Sequence, residues 1–365
     1  HRTYGAVFAK HSLELPKTVL NEDKTPAVVT FTFKPDARPV QCRPPDLPRG
    51  SARRKILEHF RIEMERRKLV VKFNESRWAS RPHLVAKYAE DAVRGGIPND
   101  IRFTGDLKAV NAQCDKVSPV CGNVERELER AMGHNWYIKA DSMKAYWSFL
   151  VDAESMEAST IWLPGETGKW EKYAFTRLQM GSTNASTSMN SHYYRISGKC
   201  MDRETHSQLM DDWVIWGSTQ ADCLQNYETF LRMCLEYQIT LKPKKVHLLL
   251  KKVTYYGWDI DRNGRSPTAR NLDPIRRMQI PNSIEETRSM IGYFQTYRKF
   301  IKTTAPDATT GVMRLFRYEE IVEPISVKVL RDTSRGIKFA QRWREPQQKA
   351  YDLIKGLLLA GVHLC

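Results

Sequence analysis

The chain has 365 residues, a mass of 42.3 kDa, and 41% apolar and 27% charged residues, the make-up of a soluble globular protein with two or three structural units rather than a disordered one. Its longest strongly apolar stretch, Gly356 to Cys365, is far below the ~20 residues that span a membrane, and the first residues lack the basic-then-apolar order of a signal peptide. Lys and Arg outnumber Asp and Glu by 58 to 42, a net charge of +16, which points to a polyanionic partner, nucleic acid before acidic lipid.

The seven cysteines form no CxxC spacing and are odd in number, so neither a disulfide framework nor a zinc knuckle is expected. Along the chain, Ala27 to Phe33 reads as a strand, and Arg38 to Gly50 as extended chain because its prolines forbid helix. From Ser51, the residues Ile56, Leu57, Phe60 and Met64 fall on one face of an amphipathic helix with a basic outer side. Trp78 to Tyr88 and Ile101 to Leu107 read as two strands of a hairpin joined by a basic loop with Gly95 and Gly96. Trp136 to Asp141, Ser148 to Asp152, Ser159 to Pro164 and Lys172 to Leu178 read as strands. The small, polar run after Gly181 reads as a closely packed helix.

Leu209 to Gly217, "LMDDWVIWG", has the pattern of a hairpin with acids at its turn. A helix follows with Leu224, Tyr227, Leu231, Cys234 and Leu235 on one face. Val253 to Ser266 reads as a hairpin with Asn263-Gly264 as a type I′ turn. Ser283 and Glu286 have the spacing of a capping box, for a helix carrying Ile291, Phe294 and Phe300. Two decoys are set aside. "GETGKW" lacks the first Gly and the closing Ser/Thr of a phosphate-binding loop, and Asp259 with Asp261 lies on an exposed hairpin.

The chemistry centres on Asp141, Asp211 and Asp212, each at the edge of an apolar stretch. A DD pair alone is commonly a solvated turn. Between "LM" and "WVIW", however, buried acids cost several kcal/mol unless cations or donors satisfy them. Three acids converging from neighbouring strands would hold two divalent cations about 4 Å apart, the arrangement of metal-assisted nucleotidyl transfer. Magnesium suits such hard oxygen donors.

An ordered set of motifs then resembles the reverse transcriptases of gypsy-type LTR retrotransposons, and more distantly the retroviral enzyme. "RxxxDYRxLN" is similar to Arg102 to Asn111, and "LDLxxGY" to Ala140 to Tyr146. "YxFxxxPFGLxNAP" is similar to Tyr173 to Ser186, with Gly181, Asn184 and Ala185 in place. "YxDD" resembles Leu209 to Asp212, "LNxxKC" Leu241 to Val246, "FLG" Tyr255 to Gly257, and "ELRSFLGxxNYYRxFI" Glu286 to Ile301. The resemblance implies an α+β right-hand polymerase fold. Fingers would comprise 1–115 and 149–184, and a palm with an antiparallel sheet 116–148 and 185–261. A thumb would follow at 262–320, and the start of a connection segment at 321–365, with no RNase H domain and no protease or integrase signature, as in a piece of a longer polyprotein.

By the same resemblance the activity is RNA-directed DNA polymerase, with dNTPs, an RNA template and a DNA primer/template duplex as partners and no membrane. The oligomeric state is open. The place is the cytoplasm, including virus-like particles, with the nucleus as the alternative. Asp141, Asp211 and Asp212, with the Ser142 carbonyl, would hold two Mg²⁺ ions, with Mn²⁺ as substitute. Lys87, Arg102, Ser142, Tyr146, Met180 and Gly181 would bind the dNTP, with Tyr146 under the sugar as a block to a 2′-hydroxyl. Leu209, Met210, Tyr256, Gly257, Lys244 and Lys245 would face primer and template. Departures from the family pattern are Leu209 for Tyr, Gln179-Met180 for Pro-Phe, Lys144 for a small residue and Val246 for Cys. They motivate a second reading, a domesticated retroelement domain that binds nucleic acid with weak or no catalysis. An RNA-directed RNA polymerase would share the palm, but Tyr146 and the lack of Gly before the two acids argue against it.

Overall fold

The computed structural model describes residues 3–10, 14–86, 101–118, 124–298, 301–306, 313–326 and 343–360. The chain divides into two units, His1–Arg130 with Tyr137–Leu249, and Ala131–Trp136 with Leu250–Cys365.

In the first unit, the strand expected over Ala27 to Phe33 shrinks to β1 (Val28–Val29), which pairs in parallel with β6 (Leu150–Val151). The rest turns its backbone groups to separate partners. Phe31 N donates to Ser155 Oγ at 2.7 Å, Thr32 O accepts from Asp115 N at 2.8 Å, and Lys34 N donates to Gln113 O at 2.9 Å. With those groups taken, no single ladder can run through the segment.

Helix α1 (Ala52–Arg66) turns Leu57 and Met64 inward, as the spacing predicts. They join Leu69, Val70, Ile161, Leu163, Tyr173 and Phe175 in one core. That core covers a three-stranded antiparallel sheet in which β8 (Trp170–Phe175) lies between β2 (Val70–Lys72) and β7 (Ile161–Pro164). The predicted hairpin forms from β3 (Arg81–Ala86) and β4 (Ile101–Asp106), with Ala86 opposite Ile101. Its connection, with Gly95 and Gly96, lies outside the described residues.

The second sheet has the order β11–β5–β10–β9, from β5 (Trp136–Asp141), β9 (His206–Leu209), β10 (Asp212–Gly217) and β11 (His247–Leu250). Trp213, Val214, Ile215 and Trp216 are all buried in succession, the continuous apolar run of a strand covered on both faces. Helices α2 (Ala185–Cys200) and α3 (Gln220–Glu236) supply cover. Tyr193 and Phe230 flank Trp213 with ring centroids 5.5 and 5.1 Å away, within the favourable range for aromatic pairs.

A side chain at Gly217 would place its Cβ 2.5 Å from the Cys223 backbone nitrogen, so glycine is what lets α3 begin against the strand. Thr219 and Asp222 cap that helix reciprocally at 3.1 Å each way. The close approach turns Cys223, Tyr227, Phe230, Leu231 and Cys234 inward. Leu224 and Leu235, expected on the buried stripe, are instead 42% and 44% exposed. With 3.6 residues per turn, fixing Cys223 inward swings its neighbour Leu224 outward.

The second unit opens on an antiparallel meander of β12 (Lys252–Tyr255), β13 (Trp258–Asp261) and β14 (Gly264–Pro267). Its I′-like turn is Tyr256-Gly257, with φ of 49° and 83°. The turn expected at Asn263-Gly264 is set one residue earlier, at Arg262-Asn263, because Gly264 pairs with Asp261. Asp261 Oδ1 accepts from Asn263 N at 2.8 Å and fixes that register.

Among the described residues, helices α4 (Ala269–Arg277), α5 (Ile284–Gln295), α6 (Tyr318–Ile325) and α7 (Glu345–Leu359) follow, and β15 (Lys302–Pro306) pairs antiparallel with β16 (Met313–Arg317). Ser283 caps α5 by accepting from Glu286 N at 3.1 Å. Glu286 returns to Asn282 N at 2.7 Å, one residue before the cap. Met290 and Phe294 are buried, Ile291 is half-buried, and Phe300 lies outside the described residues. Helix α7 packs on α6 and α4, where Tyr351 Oη donates to Met278 O at 2.7 Å and Gln347 Nε2 to Pro324 O at 3.0 Å.

Two histidines of the first unit make folding sensitive to acid. His192 Nε2 contacts Leu20 O at 3.1 Å, and His206 Nδ1 contacts Asp202 O at 2.9 Å. Burial pushes each imidazole down to about 4. The unfolded chain then takes up these protons first, so stability present above pH ~6.5 is lost as pH falls toward 4. Urea unfolding at pH 7 and pH 5 should show a loss of about 1.5 kcal/mol per histidine at the lower pH, and His206→Gln should reduce that loss.

Candidate active site

Asp141 ends β5, and Asp212 starts the adjacent β10. Leu209 pairs with Asp212, so Met210 and Asp211 form the two-residue turn between β9 and β10. Met210 has φ of 58° and Asp211 stays out of the left-handed region, the combination of a type II′ hairpin turn. A long side chain in the left-handed region costs about 1 kcal/mol or more, and the surroundings hold it there. Asn190 of α2 accepts from Met210 N at 2.9 Å, and Gln208 Nε2 donates to Asn190 Oδ1 at 2.8 Å and to Met210 O at 2.7 Å.

The turn is fastened to the end of β5 by Ser142 N, which donates to Asp211 O at 2.8 Å. Trp213 Nε1 donates to Ser142 Oγ at 2.9 Å. Lys242 N donates to Asp141 O at 3.0 Å, and Met143 N to Thr240 O at 2.7 Å. The structure therefore brings Asp141, Ser142, Met210, Asp211 and Asp212 to one end of the sheet, with Leu209 buried behind them.

Charge at this end is balanced by lysines. Asp141 is only 4% exposed, yet each carboxylate oxygen meets an ammonium group. Lys242 pairs with Oδ1, and Lys245 with Oδ2 at 2.8 Å. The Asp141 carboxylate holds the Lys245 ammonium above the usual lysine range. Lys139 approaches Asp212 at 3.4 Å. Burial first, and the neighbouring Asp211 and Asp141 charges, push the Asp212 carboxyl up, while Lys139 pulls the other way. Lys144, which stands where the family pattern has a small residue, has φ of 45°. Its ammonium donates to Glu14 O at 3.2 Å and lies 5.3 Å from the Trp147 ring centre. Burial, with Arg67 and Lys242 nearby, pushes it down to about 8.

Tyr146 sits just past β5 in the short turn Ala145–Ser148, half-exposed, with its hydroxyl 2.8 Å from Ser186 Oγ. Met180 and Gly181 are exposed on the segment before α2, and Gly181 has φ of 98°. Asn111 clamps that segment, donating to Gly181 O and accepting from Thr183 N, each at 2.8 Å. Arg102 is exposed on β4 opposite Val85, and Lys87 lies outside the described residues. Lys244 is exposed on the Pro243–Lys245 turn. Tyr256, 45% exposed, and Gly257 form the turn of the second unit's meander.

Sequence reading missed Asn190, Lys139 and Lys242. Asn190 carries a signal, a short amide within a helical run. The lysines carry none beyond their number, since their partners are fixed only by the fold.

Residues 93–260 match the family model described as "Reverse transcriptase (RNA-dependent DNA polymerase)". The chain is 24% identical over 270 residues to the Gag-Pol polyprotein of avian reticuloendotheliosis virus, covering 72% of this chain and 22% of that polyprotein. It is 27% identical over 143 residues to the retrovirus-related Pol polyprotein from transposon 412 of Drosophila melanogaster, covering 39% of this chain and 11% of the relative. Among solved structures, a foamy viral protease-reverse transcriptase in complex with double-stranded DNA superposes with a TM-score of 0.75 at 18% identity. That match covers 100% of this chain and 56% of the other, and it shows that the fold is the polymerase fold. The chain thus spans less than a quarter of the length of either of these polyproteins.

The lysine pairing makes the acids separable by stability. In EDTA, Asp141→Asn should lower the melting temperature, at a cost of about 1–2 kcal/mol, because two ammonium groups that still reach solvent lose their partner. Asp212→Asn should raise it by removing a carboxylate that its neighbours repel. Differential scanning calorimetry of the two variants reads both signs.

Proposed function

We propose that this chain, a reverse transcriptase domain of the kind found in LTR-retroelement and retroviral Pol polyproteins, is an RNA-directed DNA polymerase that adds dNTPs to a primer 3′-hydroxyl. One observation carries the reading. The end of β5 and the β9–β10 turn are locked together by the Ser142–Asp211 backbone bond, so that Asp141, Asp211 and Asp212 project from adjacent strands.

Divalent cations fit this donor set chemically. Asp141 already draws two cationic groups, and the like-charge push on Asp212 is what a cation relieves. Among the described residues no three acidic, His or Cys side chains stand close enough to hold an ion as they are now turned. To serve as a ligand, Asp141 would turn from Lys242 and Lys245. Asp141, Asp211 and Asp212 would hold two magnesium ions, with the Ser142 carbonyl as a further oxygen donor. When bound, the ions supply an activated primer hydroxyl and neutralise charge on the leaving pyrophosphate.

The remaining residues position. Arg102, from the β3–β4 hairpin, contacts the triphosphate of the incoming nucleotide, and the family resemblance gives Lys87 the same role. Tyr146 lies under the sugar and excludes a 2′-hydroxyl, so deoxynucleotides are selected. Met180 and Gly181 line the nucleotide pocket, and the open space at Gly181 leaves backbone free to meet it. Leu209 and Met210 back the primer end, Tyr256 and Gly257 grip it, and Lys244 and Lys245 contact backbone phosphate. The net charge of +16 supports binding of template and duplex.

The occupation of both Asp141 oxygens by lysine favours a second reading, a domesticated domain that binds nucleic acid without catalysis. Primer extension on an RNA template with magnesium separates the two. Extension by the parent with dNTPs, absent with ribonucleotides and reduced about 100- to 1,000-fold in Asp211→Asn, as for a lost electrostatic group, supports the polymerase. Salt-sensitive template binding with no extension supports the binder.

A further inference from the structure

The hydroxyl of Ser186 has a role in the reading of Tyr146 as the sugar-excluding residue. Ser186 stands where the family motif "NAP" closes on proline, which has no hydroxyl to offer. Here Ser186 Oγ lies 2.8 Å from Tyr146 Oη, and the ring is neither fully buried nor free. From that geometry we infer that Ser186 is a positioning residue, which tethers the tip of the Tyr146 ring and thereby sets discrimination between deoxyribo- and ribonucleotides. The inference rests on the proposed role of Tyr146.

Both ends of the tether are anchored. On the Tyr146 side, Ser148 Oγ donates to Ala145 O at 2.5 Å, and Trp147 N donates to Lys144 O at 2.8 Å. On the Ser186 side, the start of α2 is fixed by Asn184. Its side chain accepts from Val117 N at 3.0 Å and donates to Asp115 O at 2.8 Å. Asn111 holds the segment carrying Gly181. The Tyr146–Ser186 bond therefore joins the end of β5 to the start of α2, to which the Met180–Gly181 segment leads.

Exclusion of a 2′-hydroxyl is steric, and a steric wall discriminates only as well as it resists displacement. A half-exposed ring held at its base alone can swing at χ1 and χ2 at little cost. A second attachment at the far end, through a hydroxyl–hydroxyl hydrogen bond, limits that swing. Its net strength sets the scale of the effect at about three- to tenfold in selectivity.

The test is single-nucleotide incorporation of one dNTP and its ribonucleotide counterpart by the parent and by Ser186→Ala, Ser186→Thr, Tyr146→Phe, Tyr146→Val and the Ser186→Ala/Tyr146→Phe double variant. Ser186→Ala should lower the dNTP/rNTP ratio of kcat/KM by about three- to tenfold, through a lower ribonucleotide KM, with kcat for the dNTP within about twofold of the parent. Tyr146→Phe, which removes the same bond from the other side, should match it. The double variant should add nothing, and Ser186→Thr should restore selectivity. If the parent does not extend primers, equilibrium binding of the two nucleotides to the protein–primer–template complex reads the same ratio.

An unchanged ratio in Ser186→Ala and Tyr146→Phe, beside a collapsed ratio in Tyr146→Val, overturns the tether and leaves the sugar-gate reading standing. An unchanged ratio in Tyr146→Val overturns both.

Discussion

Carboxylates crowded at one end of a buried sheet must be paid for with positive charge, and the rest of the first unit is arranged around that demand. Asp141 is held by two ammonium groups, one for each oxygen, and Asp212 has a third within reach. Lys242 and Lys245 come from the short turn that follows Leu241, whose backbone also grips Asp141 through Lys242 N. The chain thus supplies the carboxylate and its counter-charge from segments that are already hydrogen-bonded to each other. A buried acid without them would cost several kcal/mol. In this state Asp141 and Asp212 take their counter-charge from the chain itself.

Asparagine amides provide the second half of the arrangement. Asn190 holds the strained turn at Met210, Asn111 holds the segment of Met180 and Gly181, and Asn184 holds the start of α2. Asn111 and Asn184 each donate and accept at once, and Asn190 accepts twice through its one oxygen, which suits backbone that leaves regular structure and must still satisfy its polar groups. The turn at Met210 and the segment that leads into α2 are therefore fixed by neutral groups, whose bonds do not weaken with salt as surface ion pairs do.

Much of this was legible before any coordinates. The two adjacent acids between apolar runs in "LMDDWVIWG" identified a hairpin with the acids at its turn. The face of α1 and the pair β3–β4 followed from spacing alone. What was not legible depended on contacts distant in sequence. The β-forming residues of Ala27 to Phe33 could not reveal that Ser155 and Asp115 would claim their backbone groups. The buried face of α3 was set by the approach of Cys223 to Gly217, not by the count of apolar residues, and the Asn-Gly signal lost to the pairing of Gly264 with Asp261. Within the site, the acids were visible because an acid pair in an apolar run is unusual. The partners of Asp141 were not, because in a chain this basic a given lysine is unremarkable until the fold chooses it.

Trp213 gives the arrangement an optical aspect. Its indole is fully shielded from water, lies between Tyr193 and Phe230, and spends its N–H on the hydroxyl of Ser142, the residue beside Asp141. An indole in such surroundings emits toward the blue, and the energy of its excited state follows the polarity and geometry of whatever its nitrogen touches. The chain has thereby placed one of its nine indoles against the residue that follows its central carboxylate, so a change at the Ser142 hydroxyl alters the surroundings of a buried chromophore.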